Sequence, residues 1–455
     1  MTQTTGLSRR TLLKGAAGVA AFAGVATLAG CSATAASGGT SAAAKKAKAG
    51  TLTIMANSAD ISKDMIASFE KSHPHITINF LNYDDTRINA MLAAGSPPDL
   101  VENSGIDITP YYASRGIATN LDPYFAQSTV IKEADILPIN NAWKWDGKVQ
   151  GQGSRYGMAK DWSQDSMWWY DAEAWTAAGL TEPDPSKPIS YDELLDAAKS
   201  LTQSTGGKTS RYGLFTLLPA MDIIEAMAAT DGGRLLSEGL DKADFSSPEV
   251  TRVLQWFLDA SKANVSYSPL NPSPDWDGPE FFAGKQVSVQ QGYWFNGFLQ
   301  ATAPKLQTST KFAAAPMLGS KRVSPSFGAV GFWIPAKSAN PGAGFEFLEW
   351  FCAGDEAKAR AKTGSGLPSI KSLLSELPND NAFTKQALTV QKAELDHLET
   401  LPLASPYALA DAMNAVLTPA FTAAATNGTS AGKLADTLTT AVNGVLANGK
   451  VQLGK

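Results

Sequence analysis

Between Thr51 and Glu102 the apolar residues switch period repeatedly, and that switching excludes an all-helical or all-strand fold. Thr51 to Ala56 reads as a strand, Met65, Ile66 and Phe69 share a helical face, and Ile76 to Leu81 reads as a second strand. Ile88, Met91 and Leu92 then mark a second helix, and Asp99 to Glu102 a third strand. Strands alternating with helices predict an α/β fold with a mostly parallel sheet. Ser190 and Glu193 form a capping box, and Leu194, Leu195, Ala198 and Leu201 give the buried face of the helix that follows. Two further amphipathic helices are predicted near the end of the chain. One carries Leu409, Met413, Val416, Leu417 and Phe421 and stops at Asn427-Gly428; the other carries Leu434, Leu438, Val442 and Leu446.

The first 30 residues read as an export signal. Arg9-Arg10 and Lys14 precede an Ala/Gly-rich apolar run too short for the roughly 20 residues that span a bilayer. The paired arginines resemble a twin-arginine signal, and Leu28-Ala29-Gly30-Cys31 resembles a bacterial lipobox. Cys31 is therefore the expected lipidation site and mature N-terminus, anchoring the protein to the outer face of the cell membrane. Residues 31–50, which after Cys31 hold only Ala, Ser, Gly, Thr and Lys, have the composition of a flexible tether.

More than 400 residues then remain, which favours two lobes over one core. The net charge of -5 becomes more negative when the signal's three cations are lost, which argues against a nucleic-acid partner. The other cysteine, Cys352, follows Trp350-Phe351 and is expected to be a buried, inert thiol.

Several segments, in order, resemble extracellular solute-binding proteins of ABC transporters, the family that includes maltose- and oligosaccharide-binding lipoproteins. Gly95 to Leu100 is similar to its approach to the third strand. Tyr156 to Trp162, with Met167 to Tyr170, is similar to the first crossing between lobes. Ile189 to Leu194 resembles a family helix start, and Phe281 to Val289 with Gly292-Tyr293-Trp294 a helix, turn and strand. Phe312 to Met317, Phe332 to Lys337 and Gly364 to Ser369 resemble the return crossing, a strand and the last crossover.

The resemblance implies one lobe from residues 50–158 and 315–363 and a second from 159–314 and 364–455. A ligand would sit between them, and hinge closure would present the monomeric protein to a membrane permease. No cofactor, metal or catalytic residue is implied.

Ligands of open α/β sheets lie outside the carboxyl ends of the strands, which points to Asn57-Ser58, Glu102-Asn103 and the crossover at Lys160-Asp161-Trp162. A sugar offers an apolar ring face and a rim of hydroxyls, so its receptor needs aromatic plates beside carboxylates or amides. Asp161 with Trp162, and Trp294 with Asn296, supply both. Trp276, in a Pro- and Asp-rich loop, is placed over the mouth, and the resemblance implies that Asp222 lies in a loop region lining the second lobe. Of Phe332 and Trp333, alternation in a strand sends one to the core and the other to the cleft. A carbohydrate, most simply an oligosaccharide, is the expected ligand.

Two alternatives stay open. One is a non-sugar polar solute such as a polyol or a glycerol-phosphate ester. Some relatives carry an arginine where this chain has Ile370, which weighs against an anionic ligand held there. The other is a secreted carbohydrate-active enzyme using a pair such as Asp161 and Asp165, although no spacing in the chain fixes two carboxylates across a scissile bond. The three histidines, His73, His75 and His397, lack metal-ligand spacing.

Overall fold

The computed structural model describes residues 43–399, 401 and 403–454. The export signal, Cys31 and the first part of the tether lie outside them. Eight strands make the two principal sheets: β1 (Gly50–Ala56), β2 (Ile76–Asn82), β3 (Leu100–Ser104), β4 (Gly157–Ala159), β5 (Trp168–Asp171), β6 (Ser288–Val289), β7 (Thr310–Ala313) and β8 (Val330–Trp333).

The first sheet has the order β2-β1-β3-β8-β4. Its first three strands are parallel, with Gly50 opposite Ile76 and Ile54 opposite Leu100, as the strand and helix alternation predicts. β8 then enters antiparallel between β3 and β4, placing Gly331 opposite both Asn103 and Ala159. The second sheet, β6-β5-β7, is antiparallel throughout. The fold is α/β and two-lobed.

Local chemistry explains the helices between these strands. Asp84 accepts from the Arg87 amide at 2.7 Å to start Asp85–Ala94, and Gly95, at φ 72°, ends it in the left-handed conformation that a side chain resists. The Ser190 and Glu193 capping box forms as read, with Glu193 N donating to Ser190 Oγ at 3.1 Å and Ser190 N to Glu193 Oε2 at 2.9 Å. Leu194, Leu195, Ala198 and Leu201 are buried. The last two helices, Ala410–Asn427 and Ala431–Gln452, bury Met413, Leu417, Phe421, Leu434, Leu438, Val442 and Leu446; Leu409 and Val416 stay half-buried.

Strand alternation distributes the core. Leu52, Ile54 and Phe332 face one layer with Phe69, Phe347 and Phe351, while Met55, Val101 and Trp333 face another. In the second sheet Trp169 joins that second layer with Phe295 and Phe312, and Trp168 and Tyr170 turn to a third layer shared with the last two helices. Cys352 is buried, and burial pushes its thiol up to about 12, so the thiolate that reacts is suppressed.

Residues 44–48, read from sequence as tether, are fastened to the fold. Asn340 brackets Lys48, accepting from its amide at 3.0 Å and donating to its carbonyl at 2.8 Å. Ala44 and Ala47 pack on the layer of Phe347, and the backbone of 45–47 lies so close to Gly342 that a side chain there has no room.

Candidate functional site

The carboxyl ends of β1, β2 and β3 open into a cavity of about 420 Å³ lined by Asn57, Asp60, Asn82, Tyr83, Glu102, Asn103, Ser104 and Val330. Apart from Val330, every one of these offers a side-chain hydrogen-bonding group. Asn103 Nδ2 donates to the Tyr83 hydroxyl at 2.8 Å, and Asn57 N donates to Glu102 Oε2 at 2.7 Å.

Beneath this cavity sits a buried charge network. Lys160 Nζ is 2.9 Å from Asp161 Oδ2, 3.1 Å from Asp60 Oδ1 and 3.7 Å from Glu102 Oε1. Arg360, from Asp355–Ala361, also pairs with Asp161. Burial pushes Glu102 up to about 8 against the pull of Lys160, with Asp60 adding repulsion. Lys160 instead holds Asp60 below the usual carboxylate range, although burial opposes it.

A second cavity, about 520 Å³, is lined by residues that include Asp165, Thr216, Leu218, Ile223, Pro269, Pro272, Trp276, Asp277, Gln290, Gln291 and Phe327. Leu218 (58% exposed) and Trp276 (41%) leave large apolar faces open at its rim. The two cavities flank one stretch of chain. Phe327 N donates to Asp165 Oδ2 at 2.8 Å on one side, and Ser104 Oγ donates to the Gly328 carbonyl at 2.9 Å on the other.

Four carboxylates from distant segments lie within electrostatic reach of one another, and of these Asp165 lines the second cavity. Asp107 opens the helix Gly105–Ser114, Asp165 follows the first crossover, and Asp222 and Asp411 lie in the first turns of Met221–Ala229 and Ala410–Asn427. Burial, then repulsion from Asp222, pushes Asp107 up to about 7. Burial likewise pushes Asp165 up to about 7 and raises Asp222, while Asp277 reaches about 6.

A carboxyl whose folded pKa exceeds its unfolded value of about 4 binds more protons when folded, so stability falls as pH rises between those values. We therefore expect ligand-free protein to melt at a lower temperature at pH 8 than at pH 5.5, and Asp107→Asn to flatten that slope in a melting series. An unchanged slope in the variant would place Asp107 in open solvent.

The structure relocates several residues that sequence placed at a ligand. Trp162 is 5% exposed and its indole N–H donates to the Pro368 carbonyl at 3.2 Å, so its faces are taken by the core. Phe332 and Trp333 do point to opposite faces, but helices cover the sheet on both sides and each ring is fully buried. Phe332 packs on Phe347 and Phe351, and Trp333 on Tyr112. Asn296 is also fully buried, accepting from Gln300 at 3.1 Å. Asp161 is held by Lys160 and Arg360 rather than left free. Ile370 is buried beside Ile136.

Others are brought together. Asn57, Glu102 and Asn103 line the first cavity and Trp276 the second. Trp294 supports Trp276 from behind, ring centroids 5.8 Å apart, and Asp222 joins the carboxylate group. Sequence reasoning missed Asp60, Tyr83, Asp107, Asp411, Gln290, Gln291 and Arg360. Only the Lys160-Asp161 dipeptide carried a local signal, since the remaining partners lie up to 199 positions apart.

No curated protein sequence matches the chain. Solved structures share its fold. An ABC substrate-binding protein of Listeria monocytogenes, solved with cycloalternan, superposes with a TM-score of 0.72 at 21% identity, covering 89% of this chain and 99% of that one. The sugar-binding protein MalE of Xanthomonas citri gives 0.67 at 18% over 89% and 100%. An ABC transporter solute-binding protein of Agrobacterium vitis with bound D-mannitol gives 0.66 at 20% over 86% and 97%. A family profile described as bacterial extracellular solute-binding protein matches residues 64–389, more than half of the sequence. The chain belongs to that family of bacterial extracellular solute-binding proteins.

Proposed function

We propose that the protein is the lipid-anchored receptor of an ABC importer, taking a carbohydrate between its two lobes and handing it to the membrane permease. The observation that carries the ligand class is the pairing of the two cavities. One is walled by amides, carboxyls and a phenol suited to hydroxyls, the other by an exposed tryptophan and apolar neighbours suited to a ring face. Solved relatives are described with cycloalternan, mannotriose and D-mannitol, which supports a sugar or a polyol. The lobes are taken as residues 50–158 with 315–363, and 159–314 with 364–455. Asn57, Glu102, Asn103, Trp276 and Asp222 contact the ligand, with Trp294 bracing Trp276.

The protein acts without catalysis. Asp161 and Asp165 are not a free pair across a bond, because Asp161 is ion-paired and Asp165 is bonded to the Phe327 amide. Cys31 carries the lipid, and among the described residues no helix is long and apolar enough to cross a membrane.

Thermal unfolding of the full chain against oligosaccharides, monosaccharides, polyols and phosphate esters tests this reading, since a ligand selective for the native state raises the melting temperature. A shift with an oligosaccharide recovered intact supports it; a cleaved product revives an enzyme, and a response only to phosphate esters removes the sugar. Trp276→Ala should weaken sugar binding by about 1 kcal/mol or more, the scale of a lost aromatic contact, with little change in melting of the ligand-free protein. Unchanged affinity in a titration would remove Trp276 from the site.

A further inference from the structure

We propose that the solute is a glycoside with an apolar aglycone, its sugar reaching from the polar cavity to Trp276 and its aglycone covering Leu218 and Leu270; this rests on the carbohydrate reading above. Among the described residues six large hydrophobic side chains are left exposed, and three of them, Leu218, Leu270 and Trp276, belong to the second cavity or its rim. Leu270 follows the lining residue Pro269 in the loop that also supplies Pro272. The other three, Val130, Val149 and Val451, line neither cavity. Apolar side chains collected around a recess mark a binding site, whereas single ones on a surface need no explanation.

Each of the three is presented by a fastened segment. Leu217, beside Leu218, is buried and its amide donates to the Tyr267 carbonyl at 2.9 Å, which fixes the backbone from which the Leu218 side chain stands open. The loop of Leu270 is tied by Asn271, whose Nδ2 donates to the Tyr212 hydroxyl at 2.9 Å and to the Ser266 carbonyl at 3.1 Å. Trp276 rests on Trp294 and Phe298, with ring centroids 5.8 and 5.1 Å away. Its indole also lies against Gly278, where a Cβ would come within 2.1 Å of Trp276 Cη2. The apolar surface is preorganised, so covering it costs little ordering entropy.

The chemistry of the lining selects the occupant. Trp276 offers a plate to one sugar ring, but Leu218, Ile223, Pro269 and Pro272 offer side chains without a hydrogen-bonding group. Several polar neighbours are spent on the protein itself: Gln290 Nε2 donates to the Ser166 carbonyl at 3.1 Å, Gln291 Nε2 to Asp277 Oδ1 at 2.9 Å and Ser268 Oγ to Asn271 Oδ1 at 2.6 Å. A second pyranose here would strand its rim of hydroxyls, whereas an aromatic ring or an alkyl chain covers the same surface with none to satisfy. Among the described residues no Lys, Arg or His lines either cavity, which favours a neutral aglycone over an anionic one. Phe327 lines the second cavity and the Gly328 carbonyl next to it accepts from Ser104 of the first, so one molecule can reach both.

The test is calorimetric titration of the full chain with maltose, cellobiose and mannobiose, each as the free disaccharide and as its phenyl and hexyl glycosides, beside phenol and hexanol alone. The expected result is a series in which a glycoside binds at least tenfold tighter than its free disaccharide, with a more negative heat-capacity change. Tenfold requires covering apolar surface equivalent to only about two methylenes. A gain for either glycoside supports the inference, and the larger of the two tells an aromatic aglycone from an alkyl one. Leu218→Ser and Leu270→Ser, checked for wild-type melting, should each cut the ratio of glycoside to disaccharide affinity severalfold, while Val149→Ser leaves it unchanged. Glycosides that bind no tighter than the free disaccharides would overturn the inference and leave the carbohydrate reading intact. So would serine variants that weaken sugar and glycoside alike, since these side chains would then meet the opposite lobe and not the ligand. Phenol or hexanol binding without any disaccharide binding would overturn the carbohydrate reading, and silence from every probe would overturn both.

Discussion

Lys160→Met is expected to destabilise the protein by about 3–5 kcal/mol, the scale of breaking a buried ion pair from one side. The ammonium is almost fully buried and lies within 3.7 Å of Asp60, Asp161 and Glu102. Methionine keeps most of the volume and removes the charge, so the change isolates electrostatics from packing. Without Lys160, Arg360 is the cation left to this group among the described residues, and its ion pair is with Asp161.

The pH dependence has a definite sign. These carboxylates raise the Lys160 pKa, so its contribution is complete below the unfolded value of about 10.4 and is lost only as pH climbs through the folded one. Asp60, held low, contributes above about pH 4 and loses that contribution as pH falls through its folded value. The deficit of Lys160→Met should therefore be largest at pH 7 to 8 and shrink toward pH 4, where protonation removes the uncompensated charge. Denaturant titrations at both pH values read this, and a variant as stable as wild type at pH 7.5 would mean that the ammonium sits in water.

Gly331→Ala is the second large effect. Gly331 lies in β8 between β3 and β4, and a Cβ built there would be 1.9 Å from the Met158 carbonyl oxygen and 2.5 Å from Ala159 Cα. Both are backbone atoms of the neighbouring strand, so relief requires moving that strand rather than turning a side chain. Overpacking of this kind costs about 3 kcal/mol at the upper end of its usual range. Since β4 runs directly into Lys160 and Asp161, the displacement would also disturb the buried network, and ligand affinity should fall with stability. Wild-type stability in a denaturant titration would contradict the close strand approach.

The sequence made the strands, caps and helix faces legible because each is set by neighbours within a few positions. Ser190 and Glu193 are three apart, and Leu434 to Leu446 follow one helical face. The same logic told correctly that Phe332 and Trp333 point in opposite directions. It could not tell that β8 is covered on both faces, because the covering groups lie outside the strand, Tyr112 on a helix far back in the chain and Phe347 on the helix that follows β8. Trp162 misled for a related reason: its loop position suggested exposure, and only Pro368, 206 residues away, shows where its indole is satisfied.

The lining of the two cavities was half legible. Asn57, Glu102 and Asn103 followed from the rule about strand ends, and Trp276 from its place in a polar loop. Asp107, Asp165, Asp222 and Asp411 carry no shared spacing, and each alone reads as a helix-start or loop aspartate. Their meaning as a group exists only once the fold has brought four segments together.

Hydrogen exchange of the full chain with and without a saturating oligosaccharide tests the central claim most directly. Binding between the lobes predicts slowed exchange on both sides of the cleft, at amides 57–60 and 102–107 beside the first sheet and at 216–218, 275–277 and 290–294 across from it, with 326–328 between them. Slowed exchange confined to one side, or lying elsewhere on the surface, would contradict a ligand held between the two cavities.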